Sequence, residues 1–336
     1  MAPSESPCRE LNEPGEWDAA LRPTSFDDFI GQDACRQNLK IFVTAARQRG
    51  EALDHVLLSG PPGVGKTSLC FILARELGVD IRVTSGPALE RPKDLVGLLT
   101  SLKAGDILFI DEIHRLPRAI EEYLYAAMED FAVDVMLDQG PHARSLRLTV
   151  KPFTLVGATT REGLLPAPFR GRFGVIEKLD LYGVSELEQI LQRSVRLLEV
   201  EADQDGIALI AARSRGVPRI ANRLLRRLRD IAEVKENGHI TRALAEAGLK
   251  MLGIDEMGLE AIDRKILATL KAMGGGPVGL KTVAIAVGES DDTIEEVYEP
   301  YLIRLGLLER TPRGRRLTDR GCEQTKPGAQ QMLFRG

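Results

Sequence analysis

The chain has 336 residues, 43% of them hydrophobic and 28% charged, with a formal net charge of −4. This is the composition of a globular protein of about two or three domains, and it excludes uniform nucleic-acid coating, so any such binding must come from a local basic patch. Cys8, Cys35, Cys70 and Cys322 are scattered with no Cys-x-x-Cys pair, which argues against a zinc site or a disulfide framework and fits a reducing cytosol. No apolar run approaches the roughly 20 residues of a membrane helix. The start lacks the charged-then-apolar order of a signal peptide, so the protein is expected to be cytoplasmic.

Residues 1–20, rich in Pro, Glu and Ser, read as a flexible leader. From Leu21 the text changes. LRPTSFDDFIGQ runs an extended Arg-Pro segment into a capped turn, and an apolar-periodic helix with Leu39, Ile41, Phe42 and Ala45 follows. A nucleotide base could rest on that segment.

The organising stretch is HVLLSGPPGVGKTSLCFIL, His55 to Leu73. An apolar strand, a glycine-rich loop and a helix stand in the order that turns backbone N–H groups and a helix N-terminus toward a polyphosphate. In that pattern Lys66 reaches the β/γ-phosphates and the Thr67 hydroxyl ligates Mg²⁺.

Next come strand-like Ile81–Gly86, helix-like Asp94–Leu102 and the apolar strand of DILFIDEIHRL. Strands alternating with helices predict a parallel sheet. Asp111 and Glu112 fall at a strand's carboxyl end, where ligands bind in such sheets. Asp111 is placed to hold the metal shell and Glu112 to orient and deprotonate water.

A helix over 117–130 leads to a β-hairpin: Val133, Val135 and Leu137 against Leu146, Leu148 and Val150, around a Gly-Pro turn. It either projects from the sheet or packs on the domain's own core, and the residues leave both open. FTLVGATT predicts another buried strand, and Thr160 lies near a γ-phosphate if that strand neighbours the first. Arg170 and Arg172 follow on a Pro-broken stretch, as a finger offered to an adjacent subunit or as surface ion pairs. VIEKLDLY closes the sheet.

From Val184 to about Asp255 the periodicity is wholly helical, with Ile220, Leu224, Leu228 and Ile231 on one face of a helix that begins near Pro218. Arg219, at that helix's N-terminus, is a second candidate phosphate contact. From Glu256 to about Gly321, a helix (Ile262, Ile266, Leu270), a helix-turn-helix whose last helix carries Pro300, and a hairpin around Pro-Arg-Gly make a winged-helix pattern. Arg310, Arg313, Arg315 and Arg316 stand in that hairpin against Glu309 alone, the footprint of phosphate-backbone contact. The expected organisation is a leader (1–20), an α/β P-loop parallel-sheet domain (21–183), a small helical lid (184–255), a winged helix (256–321) and a loose tail (322–336).

GPPGVGKT, LFIDEIHRL, GATTREG, RGRFG and GVPRIANRLLRRLRD resemble the AAA+ ATPases. Within them, LRPTSFDDFIGQ, ALDHVLLSGPPG, TSGPALERP, GGPVGL and IEEVYEPYLIRLGLLERTPRGR resemble the RuvB family of Holliday-junction branch-migration motors, from about Leu21 to Arg316. The resemblance implies ATP with Mg²⁺, a homohexameric ring, duplex DNA at four-way junctions, the junction-binding partner RuvA and a junction resolvase, RuvC. RuvA would dock on the 131–150 hairpin.

Carried onto matching positions, the resemblance makes Lys66 and Thr67 the phosphate and Mg²⁺ residues, flanked by Gly63, Val64, Gly65 and Ser68. Asp111 and Glu112 become the metal and water residues, Thr160 the γ-phosphate sensor, Arg172 the finger and Arg219 the lid sensor. Leu21, Arg22, Ile30 and Tyr182 would surround the adenosine, and Glu129, Asp130 and Phe131 join the nucleotide contacts. Arg310 and Arg315, with Arg313 between them, would touch DNA. Ser68 replaces the family's more usual second threonine. Asp291 and Asp292 stand where relatives often carry an arginine, which leaves the wing to make the DNA contact. Two rival readings remain: a clamp-loader-like assembly ATPase, which needs a C-terminal helical collar, and a DNA-binding regulator that only senses ATP.

Overall fold

The computed structural model describes residues 20–136 and 145–325. They fall into two compact units, the first made of residues 20–59, 65–179 and 192–200, the second of 60–64, 180–191 and 201–325. The stretches read separately as lid and winged helix belong to one unit.

In the first unit, helix α1 (Asp33–Arg49) precedes β1 (Val56–Ser59). It buries Cys35, Leu39, Val43 and Ala46, while Ile41 and Phe42 are exposed. The expected apolar set is therefore corrected: Ile41 is out of the three- and four-residue spacing of the buried stripe, while Phe42, three after Leu39 and four before Ala46, is at its edge and 39% exposed. Helix α2 (Lys66–Leu77), β2 (Ile81–Ser85), α3 (Pro92–Thr100), β3 (Ile107–Asp111) and α4 (Arg118–Asp130) follow. The hairpin strands β4 (Ala132–Met136) and β5 (Ser145–Thr149) then lead to β6 (Thr154–Thr159) and β7 (Val175–Lys178).

The sheet order is β2-β3-β6-β1-β7, and all its pairings are parallel. β1 and β6 are buried along their whole lengths, as central strands covered on both faces must be. His55 clamps their approach: Leu155 N–H donates to its Nδ1 at 2.9 Å and its Nε2 meets Met128 O at 3.2 Å. Burial lowers its pKa, which keeps the ring neutral and able to accept.

In the hairpin, Val133 pairs with Leu148 and Val135 with Leu146. Val133 and Val150 enter the core of the first unit, whereas Leu146 is exposed. The base thus packs on the core and the outer part of β5 does not. Leu137 and the Gly-Pro turn lie outside the described residues.

Helix α5 (Val184–Leu197) has its residues up to Leu191 in the second unit and the rest in the first. The second unit continues with β8 (Glu201–Ala202), α6 (Gln204–Ala212), α7 (Pro218–Lys235), β9 (His239–Ile240) and α8 (Arg242–Met251). The wholly helical expectation is corrected by β8 and β9, which pair in parallel. β9 also brings Thr241 into place to cap α8 through Leu244 N–H, at 3.1 Å. On α7 the buried residues are Ala221, Leu224, Leu225, Leu228 and Ala232, so Ile220 and Ile231 sit at the edges of the stripe.

Helices α9 (Ala261–Ala272) and α10 (Leu280–Val287) begin the winged-helix part. One α-helical turn (Asp291–Thr293), a π-helical segment (Ile294–Tyr298) and α11 (Glu299–Arg304) make the third helix. The π-turn accommodates Pro300, which has no N–H for the i−4 carbonyl. It also rotates the apolar face, so Ile294, Tyr301 and Leu302 are buried but Val297 is exposed.

β10 (Leu308–Thr311) and β11 (Gly314–Leu317) form the wing, and Val278 bridges to Arg315 on its outer side. Gly314, at φ 135°, is required there because a Cβ would run into Val278 O. Helix α12 (Asp319–Gln324) follows, so the first residues of the predicted loose tail are helical.

Candidate functional site

The parallel order brings the carboxyl ends of β3, β6 and β1 to one edge of the sheet. Asp111 ends β3, Thr160 directly follows β6, and β1 leads into the glycine loop. The condition set for Thr160 is met, since β6 pairs with β1. Gly60, Gly63 and Gly65 all adopt positive φ (141°, 80° and 109°), conformations that side chains resist, and Lys66 opens α2. Lys66 is buried, whereas Thr67 and Ser68 are half-buried on the first turn.

Glu112 sits in the left-handed region at φ 50°, a strained backbone for a glutamate. His114 holds its side chain: His114 Nε2 lies 3.4 Å from Glu112 Oε2, and Nδ1 lies 2.9 Å from Thr159 Oγ1. Thr159 Oγ1 also accepts from Arg161 N–H at 3.0 Å, so the hydroxyl links the His114 ring to the backbone just after β6. The acidic residue after β3 is thereby tied to the strand that ends beside Thr160. The metal test is one of donor chemistry. Thr67 and Asp111 offer hard oxygens. That suits Mg²⁺, which takes one or two protein oxygens together with substrate phosphates and waters.

Elsewhere in the first unit, Leu21 is buried and its carbonyl accepts from Arg193 Nη1 at 2.8 Å; the Arg22 guanidinium lies 5.3 Å from the Phe71 ring centre. Ile30 is half-buried just ahead of the Gly31–Gln32 turn, both of positive φ. Arg172 makes an ion contact with Glu129 at 3.0 Å, donates to Pro168 O at 2.7 Å and stacks over Tyr125 at 4.7 Å. Asp130, beside Glu129, pairs with Arg147 of β5 at 3.2 Å, and Phe131 ends α4 at positive φ, edge-on to Phe153. Glu129, Asp130 and Arg172 thus form a surface of their own, and Arg170 pairs instead with Glu162 at 3.8 Å.

In the second unit the lid grips the first half of the glycine loop. Tyr182, buried, donates its hydroxyl to Val64 O at 3.2 Å, and Arg219 N–H donates to Gly63 O at 3.4 Å. A Cβ on Gly63 would lie 2.8 Å from Val217 and 3.0 Å from Arg219, so only glycine fits against the start of α7. The Arg219 side chain is exposed.

At the wing, the expectation of arginines set against Glu309 alone is corrected. Glu309 pairs with Arg316. Arg310 and Arg315 both bind Glu299 of α11, at 2.7 and 2.6 Å, and Glu295, at 3.3 and 3.4 Å. The Arg315 side chain is 16% exposed and that of Arg310 45%. Arg313 occupies the exposed turn between the strands. Of the three predicted DNA contacts, Arg313 and Arg310 face solvent, while Arg315 is chiefly engaged inside the domain.

Comparison with known proteins matches residues 21–179 to the Holliday junction DNA helicase RuvB P-loop domain, 182–255 to the RuvB AAA lid domain and 256–326 to the RuvB C-terminal winged helix domain. The chain belongs to the RuvB family. It is 58% identical to the Holliday junction branch migration complex subunit RuvB of Myxococcus xanthus, over 94% of each chain. It is 55% identical to the same subunit of Salinibacter ruber, over 94% of this chain and 92% of that one. The solved Thermotoga maritima RuvB Holliday junction branch migration motor superposes with a TM-score of 0.84 at 49% identity, over 92% of this chain and 99% of that one.

Sequence reasoning passed over His114, Tyr125, Arg215 and Glu299. His114 was readable only as the last letter of Asp-Glu-Ile-His. The others act through contacts distant in sequence.

Proposed function

We propose that the chain is the ATP-hydrolysing subunit of a cytoplasmic homohexameric ring that drives branch migration of Holliday junctions together with RuvA, with the resolvase RuvC as a further partner. The observation that carries this reading is the shared edge of β3, β6 and β1, which collects Asp111, Thr160 and the Lys66 loop on a chain that ends in a winged helix. The glycine loop and Lys66 bind the triphosphate. The Thr67 hydroxyl and the Asp111 carboxylate would hold Mg²⁺, which would supply neutralisation of phosphate charge. Glu112, fixed by His114, accepts the proton of the attacking water. Thr160 and Arg219 report the γ-phosphate from the sheet and the lid. Leu21, Arg22, Ile30 and Tyr182 enclose the adenosine.

Arg172, presented with Glu129 and Tyr125, serves the nucleotide of the neighbouring subunit; such fingers contribute roughly 10³ to 10⁵ in rate. The 131–150 hairpin offers the exposed Leu146 to RuvA. Arg310 and Arg313 contact the DNA backbone. The β10–β11 wing stands where a clamp-loader-like protein needs a helical collar, which disfavours that rival. The test is migration of a synthetic four-way junction with and without RuvA and ATP. Wild type is expected to need both, and Lys66→Ala to be inactive; equal activity of that variant would refute the assignment.

A further inference from the structure

Arg215 was assigned no role by the sequence, yet it is among the most constrained residues of the second unit. It lies four positions before Arg219, in the turn that enters α7, and takes φ 61°, a conformation a long side chain adopts only under tertiary constraint. Its side chain is 4% exposed and reaches across to the winged-helix part, where Nη2 donates to Asp263 Oδ1 at 3.0 Å. Asp263 is wholly buried, and its other oxygen accepts from Glu260 N–H at 2.8 Å, at the start of α9. The same guanidinium lies 4.5 Å from the ring centre of Tyr301 and 5.9 Å from that of Tyr298.

The surroundings lock the contact further. Tyr301 donates its hydroxyl to Met257 O at 2.6 Å. Gly258 lies so close to Arg213 O and Tyr301 Oη that a Cβ would stand 3.0 Å from each. A Cβ on Gly216 would strike Arg304, whose Nη2 donates to Tyr182 O at 3.4 Å.

These contacts form an unbroken route. At one end, the segment entering α7 touches the glycine loop through Arg219 N–H and Gly63 O. At the other, Tyr298 and Tyr301 flank Glu299, which holds Arg310 and Arg315 of the wing. Arg215 is too buried to touch DNA. Stability alone does not account for it either: buried ion pairs are often matched or exceeded by apolar packing, and burial holds the Asp263 carboxyl above its usual range even with Arg215 beside it. A planar cation that bonds through one edge and stacks through its face instead fixes one relative orientation.

We propose that Arg215, through Asp263 and Tyr301, is the strut that makes the lid and the winged helix move as one body, so that the nucleotide-dependent position of α7 is delivered to the DNA-contacting wing. It is a positioning residue, and the inference rests on the branch-migration reading above. Two full-length variants test it. Arg215→Lys keeps the charge but loses the fork and the stacking face. Arg215→Met with Asp263→Asn removes both charges and leaves Glu260 N–H its acceptor. In each, ATP turnover and duplex affinity are expected within about twofold of wild type, while RuvA-dependent migration per ATP falls roughly tenfold, the scale of measured coupling changes.

Spin labels at the exposed positions Val234 and Ile285, with Cys8 and Cys322 replaced by Ser, read the strut directly. Wild type should give one narrow distance, the same with ADP and with a non-hydrolysable ATP analogue, and both variants a broadened one. Unchanged migration per ATP in both variants would overturn the proposal, as would a parallel loss of turnover, duplex binding and migration, or a wild-type distance that shifts with nucleotide. If wild type moves no junction at all, the functional reading fails, while the distances still decide the strut.

Discussion

Replacing Glu299 by Ala isolates what holds the wing to its helix. The carboxylate is 0% exposed and receives Arg310 Nε at 2.7 Å, Arg315 Nε at 2.6 Å and Arg315 Nη2 at 3.2 Å. Truncation leaves Arg315, at 16% exposure, with only the Glu295 contact at 3.4 Å among its described ion pairs. Removing one partner of a buried pair costs about 3 to 5 kcal/mol. Arg310 is 45% exposed and can turn to water, so its share is small and the lower end, about 3 kcal/mol, is expected. That corresponds to a fall in amide protection on the order of 10²-fold. Hydrogen exchange of the intact chain should place the fall in β10 and β11, with the parallel sheet of the first unit unchanged. Glu299→Gln, which keeps an acceptor oxygen, should lose less. A change below about twofold in Glu299→Ala would refute the reasoning.

Three further outcomes follow from the same kind of contact. His55 accepts from Leu155 N–H as a neutral ring, and its pKa is lowered by burial, so the unfolded state binds the extra proton first. The first unit should therefore lose stability as pH falls below 6.5, the ordinary value, with the loss ending below the depressed native pKa; urea titrations from pH 7.5 to 5 should show a slope that His55→Gln flattens. Gly314→Ala drives a Cβ into Val278 O and should break the bridge between Val278 and Arg315, with loss of exchange protection at both amides. His114→Ala should lower the maximal ATP turnover with little change in nucleotide affinity, because it releases Glu112 without touching the glycine loop; equal losses in both would contradict the positioning role.

The order of strand, glycine loop, helix and acidic strand end was legible because each is written in consecutive residues, and parallel pairing followed from alternation with helices. The lid helix and the wing were readable for the same reason. What escaped depends on side chains meeting across the chain. Glu299 and Asp263 read as ordinary helical carboxylates, yet both are wholly buried against arginines placed by other elements. The π-turn at Ile294–Tyr298 shifts the apolar face by less than periodicity can register. Ile41 misled because hydrophobicity was counted without the angular spacing that turns it away from Leu39, Val43 and Ala46.

Hydrolysis of each nucleotide at a seam between two copies of the chain is the property on which the proposed motor depends. Lys66→Ala and Arg172→Ala subunits, each inactive alone, should be mixed in equal amounts and their joint assembly into rings verified by mass. ATP turnover should then reappear, with roughly a quarter of the sites carrying an intact lysine beside a neighbour's intact arginine. Mixed rings that stay as inactive as either parent would contradict it.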